Sequence, residues 1–381
     1  MTVRHYLLSD EQQDLVEMVR HFAKKEVVPY AADWDRIGMY PAETIRKAMD
    51  MDLHLMALPE EYGGMGLSIR TISLLKEELG WADAGFAISI SANILGFTPL
   101  LVAGNEEQKK KFADIIVPGN LSAFCLTEAQ GGSDAGNALT TARKVGDEYV
   151  LNGTKAFITN GGVAGVYTVF AMTDKSKGTR GGMTAFMVER EREGISIGKE
   201  EDKMGIRSSN TTEVVFTDVK VPAENVIGKE VDGFKVAMET LNRTRAGSAA
   251  TAVGICQRAI DACTEYAKER VVFGKPIGKF QGVSFMLADM EIRTQAVRQM
   301  MWSIADYMDH GIYDLNLASC VKTFAGDTAM QVTTDAVQIF SGYGYSREYP
   351  IEKLMRDAKI FQIFEGTNQI QRVVISGKML K

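Results

Sequence analysis

The sequence has few of the residues that build disulfide frameworks or metal centres. Its four cysteines, Cys125, Cys256, Cys263 and Cys320, form no CxxC pair, and its four histidines lie far apart. Isolated cysteines are typical of small buried thiols in a reducing compartment. Histidines without a nearby partner do not have metal-ligand spacing. We therefore expect neither a structural disulfide nor a metal site.

Membrane and nucleic-acid signals are also missing. The N-terminus carries no basic-then-apolar leader, and we expect no uncharged apolar run to reach membrane-spanning length. The net charge of −6 gives no general attraction to nucleic acid or to anionic membranes. These features predict a soluble cytoplasmic protein, or a mitochondrial-matrix protein if a transit peptide had been removed, with no nucleic-acid and no membrane partner.

Common nucleotide-binding and hydrolase motifs are absent as well. The sequence contains no GxxxxGK[ST] phosphate loop, and no GxGxxG follows a strand and opens a helix. Nothing in it supports a Ser/His/Asp triad. These absences argue against P-loop enzymes, nicotinamide-dependent dehydrogenases and serine hydrolases.

What the sequence does contain is a change of periodicity along its 381 residues. Residues 1–121 are helical in pattern and begin with the capping box Ser9-Asp10-Glu11-Gln12. Residues 122–230 carry short strand-like runs between Gly, Asn and Asp turns, which is typical of an antiparallel sandwich or barrel. Residues 231–381 return to helices long enough for an antiparallel bundle. The predicted fold is α+β: an N-terminal helical domain, a middle β-barrel or sandwich domain, and a C-terminal four-helix bundle.

The periodicity also predicts individual elements. The expected helices span 9–27, 41–51, 68–80, 85–103, 105–117, 233–271, 278–310 and 315–341, with shorter ones after Pro350 and around 368–378. The expected strands span 124–127, 148–151, 156–159, 167–172, 184–188, 195–197 and 213–216.

One carboxylate is the leading candidate for chemistry. Glu365 follows the apolar run 360–364 and precedes Gly366. Because the run has helical spacing and glycine stops helices, we expect Glu365 at a helix C-terminus, where the dipole opposes its charge. Apolar neighbours would also raise its pKa, as a general base requires. The alternative is a solvated glutamate at a frayed helix end.

Two segments of the middle region combine a strand, a hydroxyl and a glycine pair. The first, 124–134, contains Thr127 and Ser133 beside two glycines that permit close backbone approach to a ligand. The second, 152–162, contains Phe157, which could stack on a flat ring. The alternatives are ordinary loops and a core aromatic residue.

Basic and glycine-rich segments of the C-terminal region are further candidates. Arginines in 242–245 and 270–275 suit phosphate recognition by charge-assisted hydrogen bonds, although surface salt bridges are the alternative. The segment 338–345 ends a predicted helix at glycines, which again permits close backbone approach.

Read together, these motifs resemble those of the acyl-CoA dehydrogenase family, from one end of the chain to the other. They are FCLTEAQGGSD at 124–134, NGTKAFITNGG at 152–162, ERVVFGKPIGKFQ at 269–281, DAVQIFSGYGYSREYPIEKLMRD at 335–357 and FEGTNQIQR at 364–372. The chain looks most like the short- to medium-chain branch. The resemblance implies the acyl-CoA dehydrogenase-like three-domain fold, bound FAD and a homotetramer.

The resemblance also implies residue roles, with Glu365 as the catalytic base. Some branches place the base near Thr244, which is no carboxylate here. The implied FAD contacts are Leu126, Thr127, Phe157, Thr159, Arg270, Phe273, Gln281, Gln338, Gly342, Thr367 and Gln369, of which Arg270, Phe273 and Gln281 reach a neighbouring subunit. The implied acyl-CoA contacts are Ser133, Asn242, Arg245 and Gly366. Phe157 stands where many members have Trp, and Asn242 where close relatives have Asp.

The activity implied by the resemblance is α,β-dehydrogenation of short- or medium-chain acyl-CoA to trans-2-enoyl-CoA. Electrons would pass to an electron-transferring flavoprotein. Three alternatives stay open: the enoyl-CoA reductase direction, an acyl-CoA oxidase, and a non-catalytic flavin or acyl-CoA binder. Glu365 disfavours a nitroalkane oxidase, whose base is an aspartate.

The acyl pocket is expected to be neutral, because no Lys or Arg lies between Lys76 and Lys109 and the segment 86–99 is apolar or hydroxylic. A terminal carboxylate would lack a partner there, and an unpaired buried charge is costly. We therefore expect saturated, uncharged acyl chains of about four to eight carbons, a range implied by the resemblance, each buried CH₂ being favourable. Glutaryl-CoA should be a poor substrate.

Overall fold

The computed structural model describes residues 8–380, apart from the side chain of Thr179. Its N-terminal part consists of helices α1 (Asp10–Phe22), α2 (Ala31–Ile37), α3 (Ala42–Met49), α4 (Ile69–Ala82), α5 (Ala84–Ala103) and α6 (Glu106–Ile116). The predicted capping box is present: the Ser9 hydroxyl accepts from the Gln12 N–H, and the Gln12 side chain accepts from the Ser9 N–H. A π-helical turn extends α1 to Val27, as expected, whereas α2 was not predicted.

Helix α5 corrects one expectation. Among residues 8–380, α5 is the one helix that is both long enough and apolar enough to cross a membrane, judged by length and composition. The prediction that no uncharged run reaches that length is therefore wrong. Its most apolar window is 72% buried inside the molecule, which is typical of a core helix. It packs beside the first strand of the sheet, where Gly96 lies against Ser122 and accepts a hydrogen bond from Thr168.

The middle part is an eight-stranded sheet. Its strands, in chain order and with the one-turn helix α7 (Gly178–Gly181) before β5, are β1 (Leu121–Cys125), β2 (Thr141–Val145), β3 (Glu148–Thr159), β4 (Ala164–Met172), β5 (Met183–Glu189), β6 (Ile195–Glu200), β7 (Thr211–Pro222) and β8 (Val226–Ile227). They lie in the order β6-β7-β3-β2-β4-β5-β8, and β1 pairs with β4 off this path.

One strand prediction is wrong, and two strands of the sheet were not predicted. The runs 148–151 and 156–159 form one strand, β3, whose pairing with β7 is interrupted by register shifts. Strands β2 and β8 were not predicted. Most pairs are antiparallel as expected, but β1 runs parallel to β4, and β2 meets β4 in parallel at a single pair. Because β1 ends at Cys125, Leu126 and Thr127 lie beyond the strand and are available to a site.

The C-terminal part contains α8 (Gly233–Glu269), the short hairpin β9 (Val271–Val272) and β10 (Lys275–Pro276), then α9 (Gln281–Asp309), α10 (Leu315–Phe340), α11 (Ile351–Lys359) and α12 (Asn368–Met379). The predicted helices agree within three residues at their ends. Two glycines let α4 approach α8 closely: a Cβ on Gly254 would lie 2.3 Å from the Glu77 carbonyl oxygen, and one on Gly80 would lie 2.6 Å from that of Thr251. The predicted order of helical, β and helical regions is confirmed.

A buried charge cluster joins the three parts. Lys353 of α11 donates to Asp83, which precedes α5, at 2.7 Å and to Asp357 at 2.6 Å. The Ile206 N–H, from the loop before β7, donates to Asp357 at 2.5 Å, and the Ser208 hydroxyl donates to Asp83. Burial lowers the pKa of Lys353, but the two carboxylates outweigh it and hold that pKa above its ordinary value. The cluster fixes α11 and the chain that follows it against the other two parts.

Candidate active site

A cavity of about 440 Å³ lies between α4, α5, α8, the loop after β1, the last residues of β3, and the segment after α11. It collects eight of the residues named from the sequence: Leu126, Thr127, Ser133, Phe157, Thr159, Arg245, Glu365 and Gly366. These residues come from the middle and C-terminal parts of the fold, and helices α4 and α5 of the N-terminal part line the same cavity. The cavity therefore exists only when the three parts are assembled.

Glu365 lies on the cavity wall in a left-handed turn, with φ of 53° at Glu365 and 88° at Gly366. The prediction that Glu365 lies at a helix C-terminus is wrong. Helix α11 ends at Lys359 and a 3₁₀ turn follows it to Gln362, while Thr367 already caps α12. A left-handed conformation is unusual for a residue with a Cβ and needs support from its surroundings.

Two side chains hold this turn through its carbonyl groups. The Gln371 amide donates to the carbonyl oxygens of Glu365 and Gly366, at 3.0 and 3.1 Å. The buried Lys322 ammonium donates to the Gly366 carbonyl at 2.8 Å. Among the described residues, the main-chain N–H of Glu365 has no hydrogen-bond partner, so it is available to a ligand.

Burial is the main influence on the Glu365 carboxyl group and raises its pKa above the ordinary value. The nearby cations Lys76, Lys322 and Arg245 oppose this rise, as does the hydrogen bond of 3.2 Å that the Thr244 hydroxyl donates to Oε2. The raised pKa agrees with the part of the sequence argument that rested on apolar neighbours, because burial is its main cause; the expected contribution of a helix C-terminus is absent. A carboxylate in this state is suited to accept a proton from a bound ligand.

Thr127, Phe157 and Thr159 form another part of the cavity lining. Phe157 sits in a bulge of β3, with φ of 57°, and 60% of the residue is exposed. Behind it, the buried Lys155 donates to Glu128 at 2.6 Å and to the Leu126 carbonyl at 3.1 Å, which ties β3 to the loop after β1. An aromatic face flanked by two hydroxyls fits a flat, hydrogen-bonding ring system such as a flavin.

A second cavity, of about 620 Å³, holds another part of the predicted FAD set. Arg270, Phe273 and Gly342 line it. The Arg270 guanidinium lies 5.5 Å from the centre of the Tyr343 ring, and Phe273 is 92% exposed. One chain therefore does not bring the predicted FAD contacts into a single site. Arg270 and Phe273 are two of the three residues expected to reach a neighbouring subunit.

The remaining predicted contacts lie outside both cavities. Gln281, Gln338 and Gln369 are exposed, and the Thr367 hydroxyl accepts from the Ile370 N–H as the cap of α12. Asn242 is buried without lining the first cavity. Its Oδ1 and the Nε of Arg245 are buried atoms without a hydrogen-bond partner among the described residues.

The sequence argument missed Lys76. This residue of α4 lines the first cavity and is 7% exposed, so the expectation of a pocket without a cation is wrong. Ile69, Ile72, Ser73 and Lys76 all line the cavity, and their spacing places them on one face of α4. The sequence signal that could have revealed a cation in the cavity was the helical spacing of Lys76 from Ile69 and Ile72, which places the lysine on the apolar face of α4.

The fold and this site define a flavin-linked oxidoreductase. Sequence profiles of the acyl-CoA dehydrogenase N-terminal, middle and C-terminal domains match residues 9–120, 123–219 and 231–380. The chain is 47% identical over 380 residues to the short-chain-specific acyl-CoA dehydrogenase of Megasphaera elsdenii, covering 98% of this chain and 99% of that protein. It belongs to the acyl-CoA dehydrogenase family.

Solved structures of similar proteins support the same family assignment. The butyryl-CoA dehydrogenase of Megasphaera elsdenii superposes with a TM-score of 0.95 at 46% identity, over 98% of this chain and 99% of that one. A chain from work on the electron-transferring flavoprotein of Acidaminococcus fermentans superposes with a TM-score of 0.96 at 46% identity, over 99% of each. The family resemblance, the fold, the oxidoreductase class and the dependence on FAD predicted from the sequence are confirmed.

Proposed function

We propose that this protein oxidises short acyl-CoA thioesters between Cα and Cβ and releases trans-2-enoyl-CoA. The observation that carries the proposal is the partly buried Glu365 carboxylate, which shares one cavity with the aromatic and hydroxyl side chains around Phe157. The names of the relatives support the same chemistry, since one is specific for short chains and another is a butyryl-CoA dehydrogenase.

The chain's own groups account for the proton half of the reaction. The free main-chain N–H of Glu365 donates to the thioester carbonyl, which stabilises negative charge as it develops on that oxygen. The Glu365 carboxylate then takes the proton from Cα. Closing the site over an acyl chain removes water and raises the affinity of the carboxylate for this proton.

When bound, FAD supplies the acceptor for the hydrogen that leaves Cβ as hydride. The α and β C–H bonds break and the C=C bond forms: the α-proton rests on Glu365, and the β-hydrogen leaves with both electrons of its bond as hydride. Thr127, Thr159 and Phe157 would hold the ring system, and Arg270 offers a cation for the phosphate groups. The same residues serve the reverse reaction, so the direction in the cell depends on the electron partner.

We further propose that an electron-transferring flavoprotein accepts the electrons and that the protein is a homotetramer. The separation of Arg270 and Phe273 from the first cavity supports FAD sites completed by a neighbouring subunit. The cytoplasmic location stays a prediction.

Anaerobic turnover of an acyl-CoA panel with purified electron-transferring flavoprotein tests the proposal. We expect reduction of bound FAD by short acyl-CoA thioesters and transfer of the electrons to the partner. A protein that binds FAD but is not reduced by any acyl-CoA would refute the activity. Rapid peroxide formation in air would instead identify an oxidase.

A further inference from the structure

The cavity contains a buried cation to which the proposed reaction assigns no contact with the substrate. Lys76 is 7% exposed and lines the cavity wall. No hydrogen bond or ion pair connects its ammonium group to any residue within 8–380. Burial lowers its pKa to about 8, and the charge of Glu365 is the influence that opposes this shift. The group is therefore still mainly charged at pH 7, and an unpaired buried charge is costly.

The position of the ammonium group relative to the reacting carbon follows from α8. A Cβ placed on Gly247 would lie 2.9 Å from Nζ of Lys76, so the charge sits directly over that glycine. Thr244, which hydrogen-bonds to Glu365, precedes Gly247 by three residues, a rise of about 4.5 Å along a helix. Lys76 thus lies about one helical turn from the base, within reach of a short acyl chain.

The neighbouring hydroxyls do not satisfy this cation or compete for its ligand. Ser73 donates to the Ile69 carbonyl at 2.8 Å and Ser91 donates to the Ala87 carbonyl at 2.7 Å. Both hydroxyl hydrogens are therefore used within their own helices. Of these three side chains, Lys76 is the one with donor hydrogens free to meet the acyl chain.

When Glu365 abstracts the α-proton, the Lys76 ammonium group needs another negatively charged partner. Glu365 is the negative charge opposite Lys76 before the reaction, and it becomes neutral when it takes the α-proton. A neutral acyl chain would leave the ammonium group without a countercharge on the protein, whereas a carboxylate on the chain would stay paired with it.

We propose that Lys76 is a specificity-determining residue that binds a carboxylate carried by a short acyl chain. The inference rests on the proposed function, whose substrate class it narrows to carboxylated acyl-CoA thioesters. It reverses the expectation, drawn from residues 77–108 alone, that such substrates are poor.

The test compares glutaryl-CoA with its monomethyl ester thioester, which has nearly the same shape but no charge. We expect the wild-type protein to favour the free carboxylate by about 10- to 100-fold in kcat/KM, the range for a charge-assisted hydrogen bond. Lys76→Met should bring this ratio close to one, mainly through KM for the carboxylate, and Lys76→Arg should keep much of the preference. Where the methionine variant fails to retain FAD, Lys76→Gln replaces it.

Butyryl-CoA separates this inference from the function on which it rests. Failure of butyryl-CoA and of both glutaryl thioesters to reduce the bound FAD would refute the dehydrogenase activity itself. Reduction by butyryl-CoA with equal or better turnover of the ester than of the free carboxylate would overturn the role of Lys76 alone. A preference that persists in Lys76→Met would overturn it as well.

Discussion

The Thr244 hydroxyl donates a hydrogen bond of 3.2 Å to the Glu365 carboxylate, across 121 residues of sequence. Thr244 belongs to the long helix α8, whereas Glu365 sits in a left-handed turn between α11 and α12. Some family branches are expected to carry the base at the helix position of Thr244. The contact shows that this helix position and the turn that carries Glu365 face the same point of the cavity. It also sets how strongly the carboxylate holds a proton.

Glu365→Gln should abolish turnover while leaving FAD bound. The amide keeps the shape of the side chain but cannot accept the α-proton, and a general base contributes about 10²–10⁴-fold or more. Stopped-flow reduction of FAD by butyryl-CoA measures the loss. Near-normal turnover would contradict the assignment of the base, and the exposed Glu107→Gln is the matched control.

The same variant should be at least as stable as the wild type at pH 7. Because burial raises the folded-state pKa of Glu365 above its ordinary value, the fold favours the neutral carboxyl. Its ionised form costs stability at a pH above the unfolded-state pKa. Removing the charge removes that cost, so the thermal midpoint should stay equal or rise. A clear fall would show that the ionised form is stabilised.

Thr244→Val should move the acidic limb of the pH–rate profile to higher pH. The active form of the base is ionised, so kcat/KM falls as the pH drops through its pKa. The Thr244 hydrogen bond lowers that pKa, and valine removes the bond while keeping the volume. Thr251→Val, a buried cavity residue of the same helix with no hydrogen bond to Glu365, is the control. An unchanged limb in Thr244→Val would contradict the coupling.

Lys76→Met should shift the same limb further than Thr244→Val does, with butyryl-CoA as substrate. The positive charge of Lys76 favours the ionised carboxylate and ranks ahead of the Thr244 hydrogen bond among the influences that lower the pKa of Glu365. Its removal therefore raises that pKa more. A shift to lower pH would show that the ammonium group does not act on the base.

Lys353→Met should destabilise the whole fold. The change leaves Asp83 and Asp357 buried without their shared cation, and breaking a buried pair in this way costs about 3–5 kcal/mol. Denaturant unfolding followed by circular dichroism measures the change. Lys268→Met, which removes an exposed pair with Glu265, should cost about 0–1 kcal/mol. Equal effects of the two variants would contradict a special role for the cluster.

Arg270→Met should lower the FAD content of the purified protein. The exposed guanidinium offers charge-assisted hydrogen bonds to phosphate, which methionine cannot replace. Absorbance of the flavin band gives the occupancy, and size-exclusion chromatography with light scattering gives the assembly state. The surface variant Arg36→Met should keep both. A monomer that retains FAD firmly would contradict the shared site.

Much of the site was predictable because its parts are local. Hydroxyls beside glycine pairs marked the two loops at 124–134 and 152–162, and an apolar run before Glu365 marked a carboxylate with a raised pKa. The backbone of that carboxylate was not predictable. Its left-handed turn depends on Gln371 and Lys322, and the second of these is distant in sequence.

Local sequence determined the order of helical and β regions, the capping box at Ser9 and the ends of the long helices, because caps and periodicity act between residues a few positions apart. Tertiary structure alone decided that β1 pairs with β4 in parallel. It also decided that Arg270 and Phe273 lie in a different cavity from Glu365, and that Lys76 lines the cavity that contains Glu365. Each of these depends on contacts between distant segments. The face that α4 turns toward the cavity is set by the glycines through which it packs on α8, and that packing buries Lys76 beside the base.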